Sequence, residues 1–91
     1  MHFEFKPSFD RSFKKLPLSR QEKVYQALDV LMQYLDKLTP IPPGLGLKNW
    51  NGDYWEIRSS LKDRIIFEFT DEIVFLFVGN HDEIKNFMKG K

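Results

Sequence analysis

His81 follows an apolar run closed by Gly79, and the segment Asn80-His81-Asp82-Glu83 carries the pattern of a helix start. The first turn of a helix favours anions and disfavours an imidazolium, so a histidine placed there suits acid-base chemistry on a phosphate ester such as RNA. Arg58 and Arg64 bracket a short turn, and their guanidinium groups share a face if the strand register pairs them. Two such groups can neutralise the charge that builds on a phosphorane-like transition state. Glu56 falls on the same strand face as Arg58 and is a candidate general base for a ribose 2′-hydroxyl, since a carboxylate flanked by arginines stays ionised. Plainer readings stand beside these. His81 also fits a residue that merely starts a helix, and Arg58 and Arg64 fit ion pairs with Glu56 and Glu68 on a solvated sheet face.

Other chemistries find little support. The chain has no Cys, which removes disulfide frameworks, iron-sulfur clusters, zinc knuckles and thiol nucleophiles. No metal site is expected: His2 has no second His nearby, and His81, Asp82 and Glu83 are consecutive positions that do not share a helix face. No cofactor is expected either, because no P-loop, dinucleotide fingerprint or Ser/His/Asp order is present. Asp71-Glu72 reads as a turn, which makes paired-carboxylate hydrolysis unattractive. With 14 Lys+Arg against 13 Asp+Glu, the net charge of +1 does not mark a dedicated nucleic-acid binder, so any such role depends on local clustering. The N-terminal residues lack a signal-peptide pattern and no stretch reaches membrane-spanning length, so a cytoplasmic protein without membrane contact is expected.

The elements that must position these residues follow from periodicity. At 91 residues, 42% of them apolar and nine of them Phe, residues 1–91 are expected to form one domain with its own core. Residues 2–6 alternate polar and aromatic positions and predict a short strand ended by Pro7. Ser8 is placed to cap a helix bearing Phe9, Phe13 and Leu16, and Pro17 stops it. Ser19 and Glu22 have capping-box spacing ahead of a second helix, whose stripe Val24, Ala27, Leu28, Leu31, Leu35 and Leu38 predicts an end near residue 38. Residues 39–46, rich in Pro and Gly, read as a surface loop. From Asp53 the period becomes two: Tyr54, Glu56 and Arg58 face one way, Trp55 and Ile57 the other. Residues 64–69 form the next strand, and residues 73–78, apolar on both faces, predict a strand in the sheet interior. Ile84, Phe87 and Met88 give a final short helix its apolar edge. The expected fold class is α+β, in the order β-α-α-β-β-β-α: a small, mostly antiparallel sheet with a helical hairpin packed on one face and a short C-terminal helix.

Three segments of this sequence carry a resemblance: residues 47–58 (Leu-Lys-Asn-Trp-Asn-Gly-Asp-Tyr-Trp-Glu-Ile-Arg), residues 63–67 (Asp-Arg-Ile-Ile-Phe) and residues 78–82 (Val-Gly-Asn-His-Asp). In order and spacing they resemble the RelE/ParE superfamily of type II toxin-antitoxin toxins, and the Gly-Asn-His segment is similar to its YafQ-like branch. The resemblance covers the second half of the chain well and the first half in element order and length. It implies a metal-independent endoribonuclease that cleaves mRNA on the ribosome and is held inactive by a cognate antitoxin protein. It also implies catalytic roles for His81 and Arg64, Arg64 matching the most recurrent active-site arginine, and a substrate-binding role for Lys48. Phe87 lies where relatives place an aromatic residue that stacks on a base; burial in the helix core is its plainer reading. The glutamate that some relatives carry just before the Leu-Lys pair is absent here, where Leu45 and Gly46 stand. The alternative is a protein of the same fold without nuclease activity, either a gyrase inhibitor or an inactive toxin that binds an antitoxin.

Overall fold

The computed structural model describes residues 2–37, 40 and 43–90. Strand β1 (Phe3–Phe5) leads into helices α1 (Pro7–Lys14) and α2 (Leu18–Leu35), then strands β2 (Lys48–Asn51), β3 (Tyr54–Arg58), β4 (Asp63–Phe69) and β5 (Ile73–Asn80), and finally helix α3 (His81–Met88). The sheet runs β1-β5-β4-β3-β2, with β1 parallel to β5 and the remaining pairs antiparallel. The expected α+β class holds, with one strand, β2, more than the sequence pattern indicated. Among the described residues, no helix is long and apolar enough to cross a membrane.

Each face of the sheet is covered by different helices. Phe9 of α1 and Val24, Leu28 and Leu31 of α2 pack on Ile57, Ile65, Phe67 and Phe75. On the other face Ile84 and Met88 of α3 meet Ile66, Val74 and Leu76. Burying each of these large side chains contributes about 1.5–3 kcal/mol, which fixes the helices and the strand register together. Because α3 packs mainly on β4 and β5, with Trp50 and Tyr54 at the margin of its cluster, the β2-β3 end of its face is less covered.

The helix starts differ from the sequence expectation. α1 begins at Pro7, whose missing N–H suits a first helical position, and Lys6 precedes it without a side-chain cap. Ser8 is therefore inside the helix, and its hydroxyl donates to the Leu76 carbonyl (2.5 Å). α2 starts at Leu18 because the Pro17 carbonyl accepts the first helical bonds from Arg20 and Gln21, so Ser19 and Glu22 form no capping box. That helix ends at Leu35 with Lys37 in the left-handed region (φ 63°), and Leu38 lies outside the described residues. Of the expected loop, Pro43–Leu45 forms a single tight helical turn, and residues 39, 41 and 42 also lie outside the described residues.

β1 is three residues long, so β5 outruns it, and α1 completes the uncovered edge with side chains. Ser8 donates to the carbonyl of Leu76, and the Val78 N–H donates to the Ser12 hydroxyl at 3.1 Å. Replacing Ser12 by alanine leaves the buried Val78 N–H without its acceptor, and a loss of about 1–3 kcal/mol in urea unfolding is expected.

Candidate active site

The open part of the sheet gathers the polar residues singled out in the sequence. Register pairs Arg58 with Arg64, and Arg64 with Gly79, two positions before His81. It also pairs Lys48 with Glu56. Pairing across strands gives Lys48, Glu56, Arg58 and Arg64 the same Cβ direction, towards the face that α3 leaves partly bare.

Glu56 is buried to 7% exposure in the middle of this group. The Trp50 indole N–H donates to its Oε1 at 2.6 Å, and Arg64 Nε lies 3.5 Å from its Oε2. Trp50 reaches it through a register shift between Asn49 and Asn51, a bulge that re-aims the indole. Both carboxylate oxygens are thus engaged, in the ion pair that the sequence offered as the plainer alternative. Arg64 also donates through Nη1 to the carbonyls of Ser60, Leu61 and Asp63 at 3.3–3.4 Å, so its head is held from several sides.

Arg58 behaves differently from its register partner. Its side chain runs over Gly46, where an added Cβ would lie 3.4 Å from both its Cβ and its Nε, and lines a groove with Lys23 and Gln26 of α2. Gly46 has φ 63°, so glycine serves both the backbone and the passage of the arginine. Arg58 and Lys48 are exposed and make no hydrogen bond or ion pair among the described residues. The two arginines therefore share a backbone pair, but only Arg64 is held by a network.

His81 is the first residue of α3 and is exposed. The helix start is built as the sequence indicates: the Glu83 N–H donates to Asn80 Oδ1 at 2.9 Å, and the Asn80 N–H donates to Glu83 Oε1 at 2.8 Å. Phe87 is half-buried one and a half turns later, its ring stacked on Phe77 with centroids 4.7 Å apart.

Two supports of the site were not evident in the sequence. One is Trp50. The other is a buried ion pair: Arg20, at the start of α2, donates through Nε and Nη2 to the two oxygens of Asp63 at 2.8 and 2.6 Å. The Asp63 side chain is 1% exposed. The hydrogen bonds to Asp63 raise the Arg20 pKa above its ordinary value against the opposing effect of burial, with further help from the charges of Asp63 and Glu83. Asp63 and Lys62 also donate their N–H groups to the Ser60 hydroxyl, so the turn before Arg64 is pinned to the second helix.

A separate apolar groove of about 410 Å³ lies between the helices, lined by Phe5, Phe9, Phe13, Tyr25, Leu28 and Met32, with Asp10 and Asp29 also on its walls. Tyr25 is 61% exposed. Tyr34 is turned elsewhere, into a cavity with Leu47, Trp55 and Phe69.

A parallel β1 added to an antiparallel β5-β4-β3-β2 array, with a helical hairpin on one face and a short helix on the other, is the fold of the RelE-type toxins. No protein-family model matches the sequence, and no curated protein matches it. Solved structures carry the likeness instead. A copper-bound mutant toxin from Helicobacter pylori superposes with a TM-score of 0.73 at 23% identity, over 92% of this chain and 98% of that one. YafQ from Escherichia coli gives 0.67 at 19% identity over 91% and 96%. The RelE toxin in the RelB-RelE complex from Methanococcus jannaschii gives 0.68 at 17% identity over 92% and 96%.

Proposed function

We propose that this protein is the toxin of a type II toxin-antitoxin pair and an endoribonuclease that cleaves mRNA on the ribosome, in the cytoplasm. The observation that carries the reading is Arg64: a guanidinium on an open sheet face, oriented by Glu56 and Trp50, paired in register with Arg58 on one strand and with Gly79, just ahead of His81, on the other.

In the proposed reaction the ribose 2′-hydroxyl attacks the adjacent phosphorus in line. The O2′–P bond forms and the 2′-hydroxyl proton passes to solvent water as the P–O5′ bond breaks, leaving a 2′,3′-cyclic phosphate and a 5′-hydroxyl. Arg64, with Arg58, stabilises the charge on the phosphoryl oxygens, and His81 delivers a proton to the departing 5′-oxygen. Lys48 binds the substrate backbone and Phe87 stacks on a base. Of the two roles considered for Glu56, orienting Arg64 fits the geometry better than accepting the 2′-hydroxyl proton, because Trp50 and Arg64 already occupy its oxygens. The partner is a cognate antitoxin whose amphipathic segment lies in the groove beside Tyr25 and Met32; Asp10 and Asp29 suit a basic flank. Solved structures of this fold include toxins in complex with an antitoxin, DinJ-YafQ and RelB-RelE.

A second reading, a protein of the same fold that binds gyrase or an antitoxin without cutting RNA, draws on the net charge of +1. One experiment separates the two. Purified, antitoxin-free protein is added to a translating extract and the mRNA ends are mapped. Cuts in register with codons are expected; a folded protein that makes none overturns the nuclease reading and leaves the fold untouched.

A further inference from the structure

A cleft of about 370 Å³ opens between α1 and the junction of β5 with α3 and shares Phe87 with the proposed active site. Arg11 of α1, Lys15 just past its end, Lys62 of the β3-β4 turn and Arg20 of α2 line it, together with Phe77 and Phe87. We propose that this cleft is an additional RNA subsite, holding a backbone phosphate and a stacked base of the same strand that the proposed active site cuts. The proposal rests on the nuclease reading for the identity of the strand.

The charges point to an anion. Arg20 is already neutralised by Asp63. Arg11, Lys15 and Lys62 are exposed and have no carboxylate partner among the described residues. The acid in the lining, Glu83, has one oxygen taken by the Asn80 N–H, where it serves the start of α3. Arg11 and Lys15 are four residues apart, an arrangement in which like charges repel. The negative end of the α1 dipole accounts for cations on that helix, but not for Lys62, which arrives from a different element. Three cations from two elements therefore converge on one concavity of a protein that is nearly neutral overall.

The aromatic wall points to a nucleic acid rather than to an acidic peptide. In the pairing of β4 with β5, Ile66 faces Phe77 and Phe67 faces Phe75, so Leu76 is an extra residue and both Leu76 and Phe77 join the α3-side cluster. The bulge thus turns Phe77 towards α3, where Phe87 lies against it with ring planes only 15° apart. Parallel rings beside cations are the elements of a base-stacking platform with a phosphate clamp. The cleft also reaches Asn80, the residue before His81, and Asn80 pairs in register with Asp63, the neighbour of Lys62. A strand leaving the active site past His81 enters it directly.

The test measures binding without cutting. The full chain carrying His81→Ala is titrated against a fluorescent uridine hexanucleotide by anisotropy, with and without Arg11→Ala plus Lys15→Ala, and separately with Lys62→Ala. The double change is expected to weaken binding about tenfold and to make the slope of log K against log salt shallower by about 1.4, the value for two lost contacts to single-stranded phosphates. Lys62→Ala is expected to show a smaller loss of the same kind. All three positions are exposed, and unchanged melting of each variant verifies folding. Binding that is indifferent to all three substitutions overturns the subsite, as does displacement of the RNA by a hexaglutamate peptide at equal concentration. Capture of RNA through the cleft, together with no cuts by the unmodified protein in the translating extract, supports the subsite and sinks the nuclease reading instead.

Discussion

Replacement of His81 by alanine is expected to slow RNA cleavage by about 10²–10⁴-fold, the range that a positioned general acid contributes, and to leave the melting temperature nearly unchanged. Exposure of His81, and the absence of a side-chain hydrogen bond to it among the described residues, make the second half of that expectation possible. Arg64→Ala is expected to lose about 10²–10³-fold, since in the proposed reaction it is the preorganised cation that meets the developing charge. That variant also frees the carbonyls of Ser60, Leu61 and Asp63, so a loss through disorder of the turn must be separated from a loss of charge. Arg64→Lys separates them: it keeps the charge but not the fork that Glu56 orients, and it is expected to recover part of the rate at most. The readout is the rate at which mapped mRNA ends appear in a translating extract, with circular dichroism of each variant alongside. His81→Ala cutting at the unmodified rate would remove it from the mechanism, whatever became of Arg64.

How much of this arrangement could be read from the sequence depends on the range of the interaction. The capping box at Asn80 and Glu83 is local, spans four residues, and stands in the structure as written in the chain. The pairing of Arg58 with Arg64 was accessible because a short hairpin allows few registers. Ser8 and Ser19 both look like helix caps and do not cap, because Pro7 starts α1 and the Pro17 carbonyl starts α2 before either serine; the Ser8 hydroxyl instead donates to Leu76, 68 residues away. Strand β2 escaped because Lys48-Asn49-Trp50-Asn51 has a single apolar residue and hence no alternation. The signal that marks it is the Asn51-Gly52 pair, a hairpin turn confirmed by φ 49° at Gly52. With β2 in place, Trp50 comes over Glu56, and a carboxylate that looks like a base in one dimension becomes the group that holds Arg64 in three.

The contact hardest to foresee carries the largest expected effect on stability. Arg20 and Asp63 are 43 residues apart with no periodicity linking them, yet their bidentate pair joins the start of α2 to the strand that bears Arg64. Removing one partner of a buried pair leaves the other desolvated and uncompensated, at a cost of about 3–5 kcal/mol. The burial is unequal, 28% exposure for Arg20 against 1% for Asp63, so the two deletions should differ. Arg20→Ala strands the Asp63 carboxylate with only the Ser60 hydroxyl, 3.5 Å away, and is expected to cost the full amount. Asp63→Ala leaves a guanidinium that can still reach water, and a smaller loss of about 1–3 kcal/mol is expected. Replacing both, Arg20→Met with Asp63→Leu, removes the stranded charge and is expected to be less damaging than Arg20→Ala alone. The pH dependence has a definite sign. The Arg20 pKa is raised in the folded state, so its contribution is fully present below the unfolded pKa and is lost only as pH rises through the folded value; Arg20 itself introduces no change across the neutral range. Urea unfolding at neutral pH measures all three variants. In a chain of this size, Arg20→Ala should lower the melting temperature by roughly 10 °C or more. If it melts within a few degrees of the unmodified protein, the turn carrying Arg64 is held by the Ser60 hydroxyl and the β4 ladder alone, and the pair has no part in placing the site.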